Sequence, residues 1–164
     1  MGDPEELVLG VDGCPGGAWI GALVRGRSVE WQLFPNAAGV VAVDAAVVAI
    51  DIPIGLPEPG VGFRRGADLA AREFLRPWAA ANSVFLTPVR SVVEAETFAE
   101  ANALSRRLTG YGLSMQTWNI TDRIAAVDEV LGDPADARVI EVHPEVSFRL
   151  SRPGSMRRSA PRVV

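Results

Sequence analysis

Three acids stand where an acid is costly. Asp12, Asp51 and Glu141 lie inside or just past apolar runs: Gly10-Val11-Asp12-Gly13, Ala49-Ile50-Asp51-Ile52-Pro53 and Ile140-Glu141-Val142-His143-Pro144. A lone carboxylate in such a setting is unfavourable unless it is charge-paired or bound to a cation. Hard divalent ions such as Mg²⁺ or Mn²⁺ take oxygen ligands. Two such ions about 3.5–4 Å apart activate water and stabilise the leaving oxygen in phosphodiester cleavage. Asp12, Asp51 and Glu141 are therefore the expected metal ligands and catalytic acids, with Mg²⁺ or Mn²⁺ as the cofactor. The plainer alternative has Asp12 capping a turn, Asp51 paired with an arginine and Glu141 facing solvent.

Other residues could serve the same chemistry. His143 is the single histidine. Two positions after Glu141 on an extended chain, it shares that residue's face and could orient water or a phosphate. Gly10-x-Asp12-Gly13-x-x-Gly16-Gly17 has the look of a hairpin whose backbone N–H groups approach an anion. Gly13, Gly16 and Gly17 are its phosphate-binding candidates, although a hairpin needs glycine anyway. Arg90, in Thr87-Pro88-Val89-Arg90, is a further phosphate contact; an exposed loop arginine is the alternative. Cys14 has no local histidine partner and reads as a small turn residue. Asp68 and Arg72, four apart on a helix, read as a surface pair. Trp78 and Trp118 read as core.

The elements that would position these groups follow from pattern. Glu6–Val11, Ala18–Val24 and Val29–Phe34 are short apolar or alternating runs separated by glycine-rich turns, so they predict a three-strand antiparallel meander. Asn36–Ala45 could hold a short helix. Ala46–Ile52 is the strongest buried-strand run, and Pro53 ends it. Helices are expected over Ala67–Leu75, Ser91–Leu108 and Thr121–Leu131, the last stopped by Gly132 and Pro134. Arg138–Val142 is a fifth strand, and Pro144–Leu150 a short helix. Strands four and five return through helical connections and so run parallel to the first. This is the order of an RNase H-like α/β fold, and it brings the ends of strands one, four and five to one edge.

Bulk properties fit one such domain. The chain has 164 residues, 48% of them hydrophobic, and one cysteine, which excludes an internal disulfide framework. No run approaches the ~18 apolar residues of a membrane span, and the acidic start lacks the basic region of a secretory signal. A cytoplasmic setting is expected. All 16 basic residues are arginine. Residues 1–148 hold 20 acids and 11 arginines, a net of −9, whereas residues 149–164 hold five arginines and no acid. An acidic body argues against a long phosphate-tracking surface, while leaving room for a local metal site.

Several motifs together carry a resemblance. Val11-Asp12-Gly13-Cys14-Pro15-Gly16-Gly17-x-Trp19, Ile50-Asp51-Ile52-Pro53-Ile54-Gly55-Leu56-Pro57 and Arg64-x-x-x-Asp68-x-x-Ala71-Arg72 come first. Ser83-Val84-Phe85-x-x-Pro88-x-Arg90, Ser114-x-Gln116-x-Trp118 and Glu141-Val142-His143-Pro144-Glu145-Val146-Ser147-Phe148 follow. In this order they resemble the DUF429 group, described as predicted RNase H-fold nucleases. The resemblance implies a metal site at Asp12, Asp51 and Glu141 with His143 beside it, and nucleic acid as partner. It spans residues 8–148. Relatives continue through a helix that offers a further aspartate. Here a basic tail (151–164), read as disordered, follows an RNase H-like domain (1–150), so a C-terminal truncation or a frameshift near codon 150 is expected. A missing closing helix would expose core surface and favour a homo-oligomer. Two other functions stay open: a non-catalytic RNase H-like binding module, and a nucleotide-binding phosphotransferase-like domain that uses the glycine hairpin.

Overall fold

In the computed structural model of the protein, residues 6–60, 63–132 and 135–151 are described. Alternation along the strands builds a sheet with one buried and one open face. β1 (Val8–Gly13) buries Leu9 and Val11 on one side, and Val8, Gly10 and Asp12 leave from the other. β2 (Trp19–Arg25) pairs antiparallel with β1, and β3 (Ser28–Phe34) with β2, through a turn at Gly26 (φ 57°). β4 (Val47–Ile50) lies parallel to β1, and β5 (Val139–Glu141) parallel to β4. The order β3-β2-β1-β4-β5 is that of an RNase H-like fold.

Helices cover the buried face. α1 (Ala37–Val41) starts where the Asn36 side chain accepts from Gly39 N at 2.9 Å. Two helical segments, α2 (Gly66–Leu75) and α3 (Arg90–Val93), come next. α4 (Phe98–Thr109), α5 (Met115–Trp118), α6 (Thr121–Leu131) and α7 (Pro144–Leu150) complete the set. The core joins Leu9, Val11, Trp19, Val48 and Ile50 of the sheet to Val40 of α1 and Ile124 and Val127 of α6. Gly21 lies within that packing: a Cβ there would stand 2.7 Å from the Phe34 ring and 2.8 Å from Leu9.

The helix expected over Ser91–Leu108 is two helices. Thr97 begins α4 by accepting from Glu100 N at 3.2 Å, and Gly110 (φ 78°) ends it. Trp78, read as core, is 44% exposed and stacks obliquely on Phe74. The tail 152–164 lies outside the described residues. No helix among the described residues is long and apolar enough to cross a membrane.

The opposite face of the sheet is apolar, and no described helix covers it. Antiparallel partners share a face, so Trp31, Leu33 and Val29 of β3 align with Ala22, Ile20 and Val24 of β2, and these with Gly10, Asp12 and Val8 of β1. Ile140 continues the face on β5 beside Ala49. Trp31 is 71% exposed, Leu33 66% and Val29 52%. The only charge on this face of β1, Asp12, stands at its carboxyl end.

Candidate active site

The carboxyl ends of β1, β4 and β5 open onto a cleft of about 280 Å³ lined by Asp12, Gly13, Asp51, Asp68, Arg123, Glu141 and His143, among others. Three of the four catalytic candidates reach it from strand ends, and His143 reaches it from the start of α7. Parallel pairing sets Val11 beside Ile50. The next residues, Asp12 and Asp51, therefore leave the same face of adjacent strands. Asp51 N donates to Val11 O at 3.1 Å, which continues the ladder by one residue.

Asp51 is held as an awkward acid. Its carboxylate makes no hydrogen bond or ion pair among the described residues. Its pKa is raised above the ordinary 3.8 by burial first and by the negative charge of Asp12 next; Glu141 adds to this and His143 opposes it. Among the described residues, Asp12 accepts only from its neighbour Gly13 N, at 2.7 Å. Two adjacent carboxylates thus share a cleft, and among the described residues no cationic side chain bonds either.

Glu141 is used differently. It pairs with Ile50 in the ladder, so it leaves from the helix-covered face, opposite to Asp12 and Asp51. There Arg65 grips it with both nitrogens: Nη1 to Oε2 at 2.7 Å and Nη2 to Oε1 at 2.9 Å. Ile54 N donates to Oε2 at 3.0 Å. Both oxygens of Glu141 accept hydrogen bonds, while Asp12, Asp51 and Glu141 all line the one cleft. Among the described residues no three His, Cys, Asp or Glu side chains form a metal cage.

Arg65 organises this side of the cleft. Its side chain is 11% exposed, and it also bonds Asp68 and, at 2.6 Å, the carbonyl of Ile54. Burial works against its charge, and bonds to Glu141 and Asp68 more than offset that, so its pKa stands above the ordinary value. Asp68 is not a surface partner of Arg72. It is 3% exposed and accepts from Thr87 N at 2.8 Å as well as from Arg65. Arg72 instead donates to Val84 O at 2.8 Å.

The other candidates divide. His143 lines the cleft, but Nε2 faces Ser83 O at 3.2 Å and Nδ1 is buried without a hydrogen-bond partner among the described residues. Gly13 belongs to the cleft wall, and the Arg123 side chain crosses it: a Cβ at Gly13 would lie 2.5 Å from Arg123 Nε. Arg123 donates to Cys14 O. Gly16 and Gly17 adopt φ of 78° and 83° in a 3-10 turn and are absent from the cleft wall. Their glycine identity is explained by that backbone. Arg90 is elsewhere, paired with Asp128 and, at 3.4 Å, with Glu58. Arg65 and Arg123 had no sequence signal of their own, since arginine is the only basic residue type and each sits in an ordinary helical or loop context.

A family model described as Protein of unknown function (DUF429) matches residues 10–162. The chain belongs to the DUF429 family. The DUF429 match runs past Leu150, where the motifs quoted above end. It also contains every element from β1 to α7 apart from the first two residues of β1. No curated protein and no solved structure matches the chain.

Proposed function

We propose that the cleft hydrolyses phosphodiester bonds of nucleic acid with Mg²⁺ or Mn²⁺ bound to Asp12 and Asp51. The observation that carries this reading is the Asp12–Asp51 dyad at the carboxyl ends of β1 and β4, which has no ion-pair partner among the described residues. The donor set fits the ion: Mg²⁺ is commonly held by one or two carboxylates, completed by water and substrate phosphate. The bound ion supplies Lewis acidity at the phosphate. Asp12 and Asp51 bind it. Arg123, beside Gly13, takes the phosphate-binding place expected of Arg90. His143, whose Nε2 meets Ser83 O in the cleft wall, is a positioning residue. Glu141 and Asp68 hold Arg65 and thereby the cleft wall.

The Arg65 clamp supports a second reading, a non-catalytic module whose acids are structural. Incubation with end-labelled single-stranded and duplex DNA and RNA separates the two. Cleavage with Mn²⁺ that stops with EDTA is expected; intact substrate under every metal condition favours the module.

The apolar sheet face supports self-association, with a second copy as occupant. At about 4.8 Å between strands and 3.3 Å per residue, five strands present roughly 500 Å². Two such faces bury about 1,000 Å², the lower bound for a specific interface. A face whose charged residues Asp12 and Asp51 stand at one edge leaves its apolar remainder to its own two-fold mate. Sedimentation velocity should show a dimer that Trp31→Glu with Leu33→Lys converts to monomer. A monomeric wild type at tens of micromolar would overturn this.

A further inference from the structure

A second cleft, of about 310 Å³, lies beside the acid cleft and shares Phe85 with it. Its chemistry is the reverse. Arg64 and Arg72 line it and, among the described residues, no carboxylate does, in a body whose residues 1–148 carry a net of −9. Arg72 is committed to Val84 O. Arg64 makes no hydrogen bond or ion pair among the described residues. Its guanidinium lies over the Tyr111 ring at 4.7 Å and near the Phe63 ring at 5.7 Å. Tyr111 is 57% exposed and Phe85 39%.

Exposed rings beside an arginine that has no ion-pair partner among the described residues suit a planar, anionic ligand. Bases stack on aromatic faces without regard to sequence, and arginine adds a phosphate contact and cation–π attraction. The volume sits at the small end of the ligand-pocket range, about 300–1,000 Å³, which fits one nucleotide. The two clefts are also joined by bonds. Thr87, in the wall of the second cleft, donates through N and Oγ1 to Asp68 at 2.8 and 3.3 Å. Asp68 bonds Arg65, which grips Glu141 in the acid cleft.

We propose that the Phe63–Arg64–Tyr111–Phe85 cleft binds a nucleotide unit of single-stranded nucleic acid, its base on the rings and its phosphate at Arg64. A base reaches such rings only when it is out of a duplex. The assignment rests on the reading of the acid cleft as a phosphodiester site for its purpose, but its binding can be measured without metal.

Fluorescence anisotropy in EDTA, with a labelled ten-nucleotide DNA strand, gives the test. Wild type should bind the normal strand about tenfold or more tightly than an abasic strand of equal charge. Tyr111→Ala should weaken binding of the normal strand by a similar factor and leave the abasic strand unaffected. Arg64→Gln should weaken both strands and lower the salt slope by about one. Both positions are at the surface or over it, and unaltered circular dichroism would confirm the fold. Competition by free thymidine monophosphate would extend the site to free nucleotides; oligonucleotide binding without it would assign the site to the polymer. Equal affinity for normal and abasic strands, or a Tyr111→Ala variant that binds like wild type, overturns the proposal. Base-dependent binding without any Mn²⁺-dependent cleavage would keep this site and remove the hydrolytic reading. Cleavage with base-independent binding would do the opposite.

Discussion

Arg65→Ala is expected to lower stability by about 3 kcal/mol, measured by urea unfolding. The arginine is almost enclosed and satisfies Asp68, which is 3% exposed, and both oxygens of Glu141. Removing one partner of a buried ion network leaves the others charged and desolvated, which costs about 3–5 kcal/mol. The lower figure applies because the Glu141 side chain keeps 29% of its exposure. Against the ~5–15 kcal/mol of an ordinary domain this is a large share. Arg65→Lys should recover only part, since an ammonium cannot reproduce the two parallel bonds to a carboxylate. The double variant Arg65→Ala with Glu141→Gln should be less destabilised than the two single effects added together. Strict additivity would mean that the clamp contributes nothing as a pair.

Asp51→Asn is expected to abolish metal-dependent cleavage while making the metal-free protein more stable. Loss of even an outer partner of a metal site costs about 10–100-fold, so loss of a direct ligand should exceed about 100-fold. The stability gain follows from the raised pKa. The folded chain takes up a proton at Asp51 more readily than the unfolded chain, whose carboxyl titrates near 3.8. Ionising Asp51 therefore costs stability. The penalty is absent below the unfolded value, grows as pH rises through the folded one, and is fully present above it. Asparagine removes it. Wild type and variant should thus unfold alike at the acid end and diverge towards neutral pH, with the variant ahead. Added Mn²⁺ should raise the melting temperature of wild type alone. A variant less stable than wild type at neutral pH without metal would mean that the Asp51 carboxylate is already satisfied.

The sheet was legible because its information is local. Each strand has its own short apolar run, and glycine or proline marks its ends, so order and direction followed from connection lengths alone. Asp12 and Asp51 were legible for the same reason: each ends a strand that must be central. The place of Glu141 in the cleft wall was legible, but not its pairing with Arg65. The pleat puts it one residue out of phase with the other two, and a phase is visible only once the register between β4 and β5 is known. Arg65 and Asp68 were missed because their meaning is a pairing across 76 and 19 residues, with Glu141 and Thr87 respectively. Spacing along α2 suggested Asp68 with Arg72 instead. The break before α4 did have a signal, the Thr97-x-x-Glu100 pair, which outweighs continuous helical composition. Arg90 was misplaced because a loop arginine carries no direction, and Asp128 on α6 claims it.

Calorimetric titration of the full chain with Mn²⁺ tests the central claim most directly. Saturable binding is expected in wild type and lost in both Asp12→Asn and Asp51→Asn, with Glu141→Gln retaining it. Absence of binding in wild type, or binding that survives both aspartate substitutions, would contradict a metal site at this dyad.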